Sequence, residues 1–337
     1  MDLRYRPIEP RDCDVCLSLF RGRVSYPPDT LTHLTTFWNR LLADDAMLAA
    51  VIEDRDRSGA SQVVALGTTV FVTDDYMREA RSGNEPYVTA RTIALELGGR
   101  SPILRPAAIR RANSGDGLNL LVLHYGEARE RLSPEERIAV RYKMRDAFLA
   151  HHSGYQIKEI LQEYWNEIEL PFVLRGWGEL RTDYADYFNR CGLALPPPDF
   201  RPHLIGLTRA EARAKPGDMA APLFVCAPPR FFFSPSEQEL LRCALDGKTD
   251  AQLARSVHLA LPTVKGRWRQ IYARVAVVSP ELLGDSADIL PERARGKEKR
   301  RPLLDYLRRH PEELRPHLHP RTAARGRPAR AQAADRA

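Results

Sequence analysis

The stretch SPSEQELLRCALDGKTDAQLARSVHLALPTVKGRWRQIYARV, residues 234–275, predicts three short helices joined by tight turns. Ser234 and Thr249 each stand three residues before a glutamate or a glutamine that can reach back to the cap, so both predict a helix start with a capping box. Gly247 favours the end of the first helix, because glycine accepts the left-handed conformation of a turn. These signals are local and place the three helices without any other part of the chain.

The third helix of this segment has two different faces. Its apolar residues recur at helical spacing and form one stripe: Val264, Trp268, Ile271 and Val275. Lys265, Gly266 and Arg269 fall on the opposite side. We therefore expect Trp268 in the core of a small helical domain, and a positively charged surface on the other face.

The segment resembles the LuxR-type helix-turn-helix of bacterial transcription regulators. The matching residues are Ser234-Pro235, Glu237, Leu240-Leu241, Gly247, Leu253-Ala254, Thr263-Val264-Lys265 and Ile271-Tyr272. In that family the third helix enters the DNA major groove, so the resemblance implies base contacts at the exposed positions and a phosphate contact at Thr263. The predicted contact residues are Thr263, Lys265, Gly266, Arg267 and Arg269. Ala260 departs from the family, which usually has a capping serine there.

The C-terminal extension carries the positive charge of the chain. Residues 291–337 contain 14 Lys or Arg and 6 Asp or Glu, a net charge of +8, whereas the whole chain has +7. Such a stretch adds phosphate contacts, or simply forms a solvated charge run. Arg325-Gly326-Arg327-Pro328 is similar to the core of an AT-hook, so Arg325 and Arg327 join the predicted DNA contacts unless the match arose by chance. We expect a short helix within residues 295–316 and disorder after about residue 322.

Length and composition limit the remaining possibilities. The 337 residues, 43% of them apolar, suffice for two domains, and no run of about 18 uncharged apolar residues is present. The charged start MDLRYRPIEPRD does not resemble a secretory signal, so we expect a cytoplasmic, nucleoid-associated protein with no membrane contact. Five scattered cysteines favour reduced thiols, and neither they nor the adjacent His151 and His152 predict a metal site.

The first 230 residues alternate between strand and helix patterns. Strands are predicted at residues 3–8, 47–52, 63–72, 118–125, 172–177 and 201–207. Helices are predicted at residues 12–20 and 31–42, and a long helical segment at 133–165 with an interruption at 151–154. The fold class expected is an α/β (α+β) N-terminal domain with a mixed sheet, followed by an all-α helix-turn-helix domain.

This order of elements, with RPIEPRD at residues 6–12 and VVALGTTVFVTD at 63–74, resembles the opening of a GNAT-type N-acetyltransferase. The family binds the pyrophosphate of acetyl-CoA with a Q/R-x-x-G-x-G/A loop after its fourth strand. The corresponding sequence here, Gly126-Glu127-Ala128-Arg129-Glu130, has two acids and no second glycine. We therefore expect a non-catalytic or ligand-sensing version of the fold, with no catalytic residue and no cofactor.

The predicted organisation is a regulatory or sensor domain at 1–220, a linker at 221–233, a DNA-binding domain at 234–290 and a basic extension at 291–337. The function expected is a bacterial sequence-specific DNA-binding transcription regulator that is not an enzyme. The expected partners are double-stranded DNA, a small-molecule effector of unidentified class and a second copy of the chain in a homodimer. Two alternatives remain open: a GNAT-type N-acetyltransferase fused to a DNA-binding module, and an architectural DNA-binding protein.

Overall fold

The structure, a computed structural model, describes residues 1–20, 28–283 and 292–319. The chain forms two compact units, Met1–Cys226 and Ala227–Ala337. Each unit has its own apolar core. The finer boundaries expected at residues 220, 233 and 290 stay predictions. In the part of the chain that the structure describes, no helix combines the length and apolarity needed to cross a membrane.

The first unit contains a mixed sheet. Its strands are β1 (Leu3–Pro7), β2 (Leu48–Asp54), β3 (Val63–Val72), β4 (Leu118–Glu127), β5 (Ile157–Tyr164), β6 (Glu179–Thr182) and β7 (His203–Thr208). They lie in the order β1-β2-β3-β4-β5-β7-β6. Neighbours are antiparallel except β4 and β5, which are parallel. The expected mixed α/β sheet is confirmed.

Helices cover both faces of this sheet. They are α1 (Cys13–Ser18), α2 (Pro28–Ala43), α3 (Asp74–Arg81), α4 (Val88–Leu97), α5 (Pro106–Asn113), α6 (Pro134–His152), α7 (Leu170–Gly176), α8 (Ala185–Arg190) and α9 (Arg209–Ala214). Gly67 of β3 faces Met144 of α6, and a Cβ built on this glycine would lie 2.9 Å from the Met144 sulfur. The next residue, Thr68, bonds His124, whose ring contacts Phe20, two residues after the end of α1, and Trp38 of α2. Because consecutive side chains of a strand point to opposite faces, α6 covers one face and α1 and α2 the other.

Two predicted elements are wrong. The helical segment expected to continue to residue 165 ends at His152, and residues 157–164 form β5 instead. The burial of β5 largely alternates, and it pairs with β4 on one side and β7 on the other, which a helix cannot do. The strand expected at 172–177 is helix α7, which has Pro171 at a first-turn position that suits proline.

The second unit is helical. Its helices are α10 (Pro235–Leu245), α11 (Asp250–Ser256), α12 (Leu261–Val278) and α13 (Glu292–Arg309). Both expected capping boxes form, and Gly247 has φ +76° at the end of α10. Ala260 precedes α12 without a side-chain cap. The predicted stripe of α12, including Trp268, is buried, and Leu303 and Leu307 of α13 join the same core.

Candidate active site

The parallel strands β4 and β5 separate partway along their length. Their ladder runs from Leu118 opposite Ile157 to Val122 opposite Gln162 and stops there. β4 nevertheless stays paired with β3 up to Glu127, and β5 stays paired with β7 up to Tyr164. The two strands therefore diverge while each is held by its other neighbour. We call the resulting gap, between residues 123–127 of β4 and 163–164 of β5, the wedge.

A cavity of about 380 Å³ occupies the wedge and continues beneath α6. Near the ends of the two strands its lining is polar, and we call this part the polar mouth: Tyr125, Glu127, Arg129, Arg141, Tyr164 and Glu169. Beyond the point where the strands meet, hydrophobic side chains join the lining, and we call this part the apolar end: Val122, Met144, Phe148, Trp177 and Met219. Thr69, His152 and Gln162 also line the cavity. The cavity thus joins a charged entrance to a hydrophobic interior.

Two carboxylates of the polar mouth share three arginines. Glu127 Oε1 accepts hydrogen bonds from Arg141 at 2.9 Å and from Arg129 and Arg137 at 3.1 Å each. Glu169 lies within 3.2–3.4 Å of the same three guanidinium groups. These five side chains carry a net charge of +1, from three cations and two anions. The polar mouth itself holds two of these cations and both anions, and Arg137, which does not line the cavity, makes the cluster weakly positive.

The arginines determine the ionisation of Glu127. Burial disfavours its charged form, but hydrogen bonds from Arg141 and Tyr125 and the charges of the arginines outweigh burial and lower its pKa to about 2. The Tyr125 hydroxyl donates to Glu127 at 2.7 Å, and burial next to this carboxylate raises the pKa of Tyr125. Glu127 is therefore a permanently charged structural group that positions its neighbours.

The start of α6 is closed to an anion by its own residues. Ser133 Oγ accepts the Glu136 N–H, and the Glu136 carboxylate accepts the Ser133 N–H at 2.8 Å. Glu135 and Glu136 also place two negative charges in the first turn. A diphosphate at this helix start would meet the capped, acidic first turn, whereas the two acids singled out in the sequence do not occupy it. Glu127 is neutralised by arginines, and Glu130 is exposed.

Glu163 lies at the apex of the wedge, directly after the last residue of β5 that pairs with β4. Its side chain is buried and lines the cavity. Oε1 accepts the N–H groups of Tyr87 at 2.6 Å and Val88 at 3.2 Å, at the start of α4. No hydrogen-bond partner for Oε2 exists among the described residues. Burial raises the pKa of Glu163 to about 7, although these backbone N–H groups act in the opposite direction.

The buried histidines near the cavity have structural roles. His124 Nδ1 lies 2.9 Å from the Thr68 hydroxyl, and burial lowers the pKa of His124 to about 3, so its ring is neutral. His152 Nε2 lies 2.7 Å from the Thr69 hydroxyl, and its Nδ1 lies 2.6 Å from the Phe148 carbonyl oxygen. Among the described residues, no group of three or more His, Cys, Asp or Glu side chains is arranged to hold a metal ion.

The sequence singles out Glu127, as an acid at the expected diphosphate loop, but not Glu163. Glu163 falls within the helical segment predicted at 133–165, where its position beside an apolar core has no particular meaning. The available signal was the alternation of IKEILQEY at residues 157–164, which places Glu159 and Glu163 on the same face as Ile157 and Leu161. Arg137 and Arg141 are one helical turn apart on α6, which is a second, weaker signal for an anion-binding face.

The predicted DNA contacts lie elsewhere, in the second unit. Thr263, Lys265 and Arg269 are exposed on α12. Arg267 is half-buried and donates to the Ser236 carbonyl at 3.2 Å, so its guanidinium already has a structural partner. No atom lies within 4 Å of a Cβ built on Gly266. Arg325 and Arg327 lie outside the described residues. Contact of this set with DNA stays a prediction, as do the effector and the homodimer.

No protein-family model and no curated protein matches the chain. Solved structures do match it. The C-terminal condensation domain of Ebony in complex with beta-alanyl-dopamine is 16% identical, over 62% of this chain and 99% of that chain, with a TM-score of 0.38. NAA60 of Arabidopsis thaliana in complex with acetyl-CoA is 10% identical, over 61% of this chain and 98% of that chain, with a TM-score of 0.32. A SpeG spermidine N-acetyltransferase variant from Vibrio cholerae is 12% identical, over 61% and 93%, with a TM-score of 0.35.

These comparisons correct the functional prediction. The interpretation of the chain as a DNA-binding transcription regulator that is not an enzyme is wrong, because the matched structures include acetyltransferases. The LuxR-type resemblance gains no support, since no family model matches. The alternative interpretation, a GNAT-type N-acetyltransferase, agrees better with the matches, and at these identities the likeness concerns the fold alone.

Proposed function

We propose that the first unit transfers an acyl group from a thioester to an amine, the chemistry that the GNAT-type resemblance implies. The observation that carries this proposal is the position of Glu163. Glu163 is a buried carboxylate with a pKa near 7, and it lines the cavity at the apex of the wedge. One of its oxygens has no hydrogen-bond partner among the residues that the structure describes. A group whose pKa lies near the working pH is suited to general acid–base catalysis.

The proposed reaction uses the wedge as follows. The amine nitrogen attacks the thioester carbonyl carbon, the C–N bond forms, and the C–S bond breaks. Glu163 accepts the proton that the attacking nitrogen loses. The departing thiolate takes a proton from water at the polar mouth, and the hydroxide that this leaves is neutralised by the proton that Glu163 releases. Residues 123–127 of β4 do not pair with β5, so this edge of β4 faces the wedge. Backbone N–H groups on this edge stabilise the negative charge that develops on the carbonyl oxygen.

The polar mouth supports a thiol carrier with limited negative charge. A diphosphate does not fit at the capped, acidic start of α6. Arg129, Arg137 and Arg141 supply the nearby cations, but each is already paired with Glu127 and Glu169. The donor is therefore defined here by its thioester and its pantetheine-like arm, and the nucleotide of coenzyme A contributes little to binding.

The test is thiol release by the full chain. Acyl-CoA thioesters and the corresponding pantetheine thioesters are each mixed with a polyamine, an arylethylamine and an amino acid, and the amide product is identified by mass spectrometry. Glu163→Gln is expected to lower kcat about 100-fold or more and to remove the limb of the pH–rate profile near pH 7. Gln keeps an oxygen that can accept the N–H groups of α4, so the fold is retained.

The matched control is Glu159→Gln. Glu159 is buried on the same face of β5 but lies in the half that pairs with β4, and it bonds Arg81. This variant is expected to keep most of the activity. Absence of thiol release from every donor, or equal losses in the two variants, contradicts the proposed function.

A further inference from the structure

The apolar end of the cavity extends past the apex of the wedge, where a thioester carbonyl would lie. Val122 is the last residue of β4 that pairs with β5, and Met144 and Phe148 follow along α6 toward its C-terminus. Trp177 and Met219 also line the cavity. A ligand whose thiol arm enters through the polar mouth therefore has further room ahead of its carbonyl carbon.

The polar atoms at this end are satisfied by one another. The Thr69 hydroxyl and His152 Nε2 are 2.7 Å apart, and His152 Nδ1 is 2.6 Å from the Phe148 carbonyl oxygen. Both side chains are buried. A ligand that enters this region meets mainly hydrocarbon and sulfur, with the Gln162 side chain beside Val122 as a further polar neighbour, because Thr69 and His152 are already engaged in these bonds. Such a lining selects an apolar group.

The cavity is larger than a short acyl group needs. Its volume, about 380 Å³ for the polar mouth and the apolar end together, lies in the range of pockets that hold ligands of drug size, roughly 300–1,000 Å³. An acetyl group has a single methyl beyond its carbonyl and would leave the apolar end empty. An unfilled hydrophobic cavity contributes no binding energy, whereas each buried methylene adds about 0.8 kcal/mol, or roughly fourfold in affinity.

From these observations we infer that the acyl group transferred is a hydrocarbon chain of medium length, which occupies the apolar end while its thioester lies at the apex of the wedge. This inference rests on the proposed function for its thioester and on the cavity for its chain. Phe148 is the residue best placed to set the chain length, since it lines the cavity one turn beyond Met144.

The experiment measures kcat/KM for a series of saturated acyl-pantetheine thioesters from acetyl to hexadecanoyl. We expect kcat/KM to rise by up to about fourfold per methylene until the apolar end is full, and then to fall. Phe148→Trp should shift the optimum to shorter chains and Phe148→Ala to longer ones. Ile138→Trp, on the same helix but exposed and outside the cavity lining, is the control and should leave the optimum unchanged.

A second measurement keeps this inference separate from the proposed function. Decanoate binding to the full chain is measured by calorimetry, with thermal melting to check that each variant is folded. Decanoate binding that Phe148→Trp weakens, without thiol release from any donor, supports the chain site and contradicts acyl transfer. Thiol release in which acetyl is as good as decanoyl, or the absence of both release and decanoate binding, overturns the inference.

Discussion

Glu127 and Glu163 flank the same wedge, and their surroundings drive their pKa values in opposite directions. Both side chains are buried, with exposed fractions of 2% and 4%. Glu127 ends β4 among three arginines, and its pKa falls to about 2. Glu163 stands on β5 with only backbone N–H groups as described donors, and its pKa rises to about 7. The difference shows that cations within hydrogen-bonding distance outweigh burial, whereas a few neutral N–H groups do not.

This contrast separates two roles within one site. A carboxylate with a pKa of about 2 is charged at every physiological pH and cannot exchange a proton during turnover. A carboxylate with a pKa of about 7 changes its charge near neutrality and can accept a proton. Glu127 of β4 therefore stabilises the polar mouth, whereas Glu163 of β5 is available to accept a proton.

The largest effect is expected for Glu127→Ala. The substitution leaves three arginines with Glu169 as their shared anion, so it should lower the free energy of unfolding by about 3–5 kcal/mol, as the breaking of a buried ion pair does. Urea unfolding at pH 7 gives this value. Glu85→Ala, which removes an exposed partner of Arg91, is the control and should cost less than about 1 kcal/mol. A loss below 1 kcal/mol for Glu127→Ala would mean that the arginine cluster does not need this anion.

A smaller effect, with the opposite sign, is expected for Glu163→Gln. The pKa of Glu163 is raised in the fold, so its contribution to stability is present below the unfolded pKa of 4.5 and is lost as the pH rises through 7. Gln avoids this loss, so the variant should be more stable than the native chain by about 1–3 kcal/mol near pH 8 and no more stable near pH 4.

Unfolding of both proteins at the two pH values tests this prediction. Glu127 provides the internal contrast, because its pKa is lowered and its contribution is lost only as the pH falls from 4.5 toward 2. Equal stability of the native chain and Glu163→Gln at pH 8 would show that Glu163 is ionised without cost, and would remove the reason for treating it as a proton acceptor.

Local signals explain which parts of the fold the sequence could predict. In the second unit, each of two helix starts is specified by residues within one helical turn. The capping pairs are Ser234 with Glu237 and Thr249 with Gln252. The buried face of α12, with Trp268, follows from spacing alone. In the first unit, length and strong apolarity predict the strands at 63–72 and 118–125.

The sequence could not predict the site, because the contacts of the site join residues that are far apart in the chain. Glu163 accepts hydrogen bonds from the backbone of Tyr87 and Val88, about 75 residues earlier in the chain. Glu127, at the end of β4, shares its arginine partners with Glu169. These contacts depend on where β5 leaves β4, and spacing along the chain does not encode that point. Residues 157–164 carry charges at several positions and are also compatible with a helix, so the pattern does not distinguish the strand from a helix.

The smallest effect is expected for Arg91→Met. Arg91 of α4 is paired with Glu79 at 3.0 Å, and its charge lowers the pKa of Glu163 from the level that burial alone would set. Removing it should raise that pKa, so ionisation of the native Glu163 costs more stability and the advantage of Glu163→Gln at pH 8 should be larger in an Arg91→Met background. Arg78→Met is the matched control, because Arg78 forms an exposed pair with Asp75 and does not act on Glu163. The cost in unfolding free energy should stay within about 1 kcal/mol for both single variants. An advantage at pH 8 that is equal in the two backgrounds, or smaller with Arg91→Met, would show that Glu163 responds only to its burial and its N–H donors. The contrast with Glu127 would then rest on direct contact with cations alone.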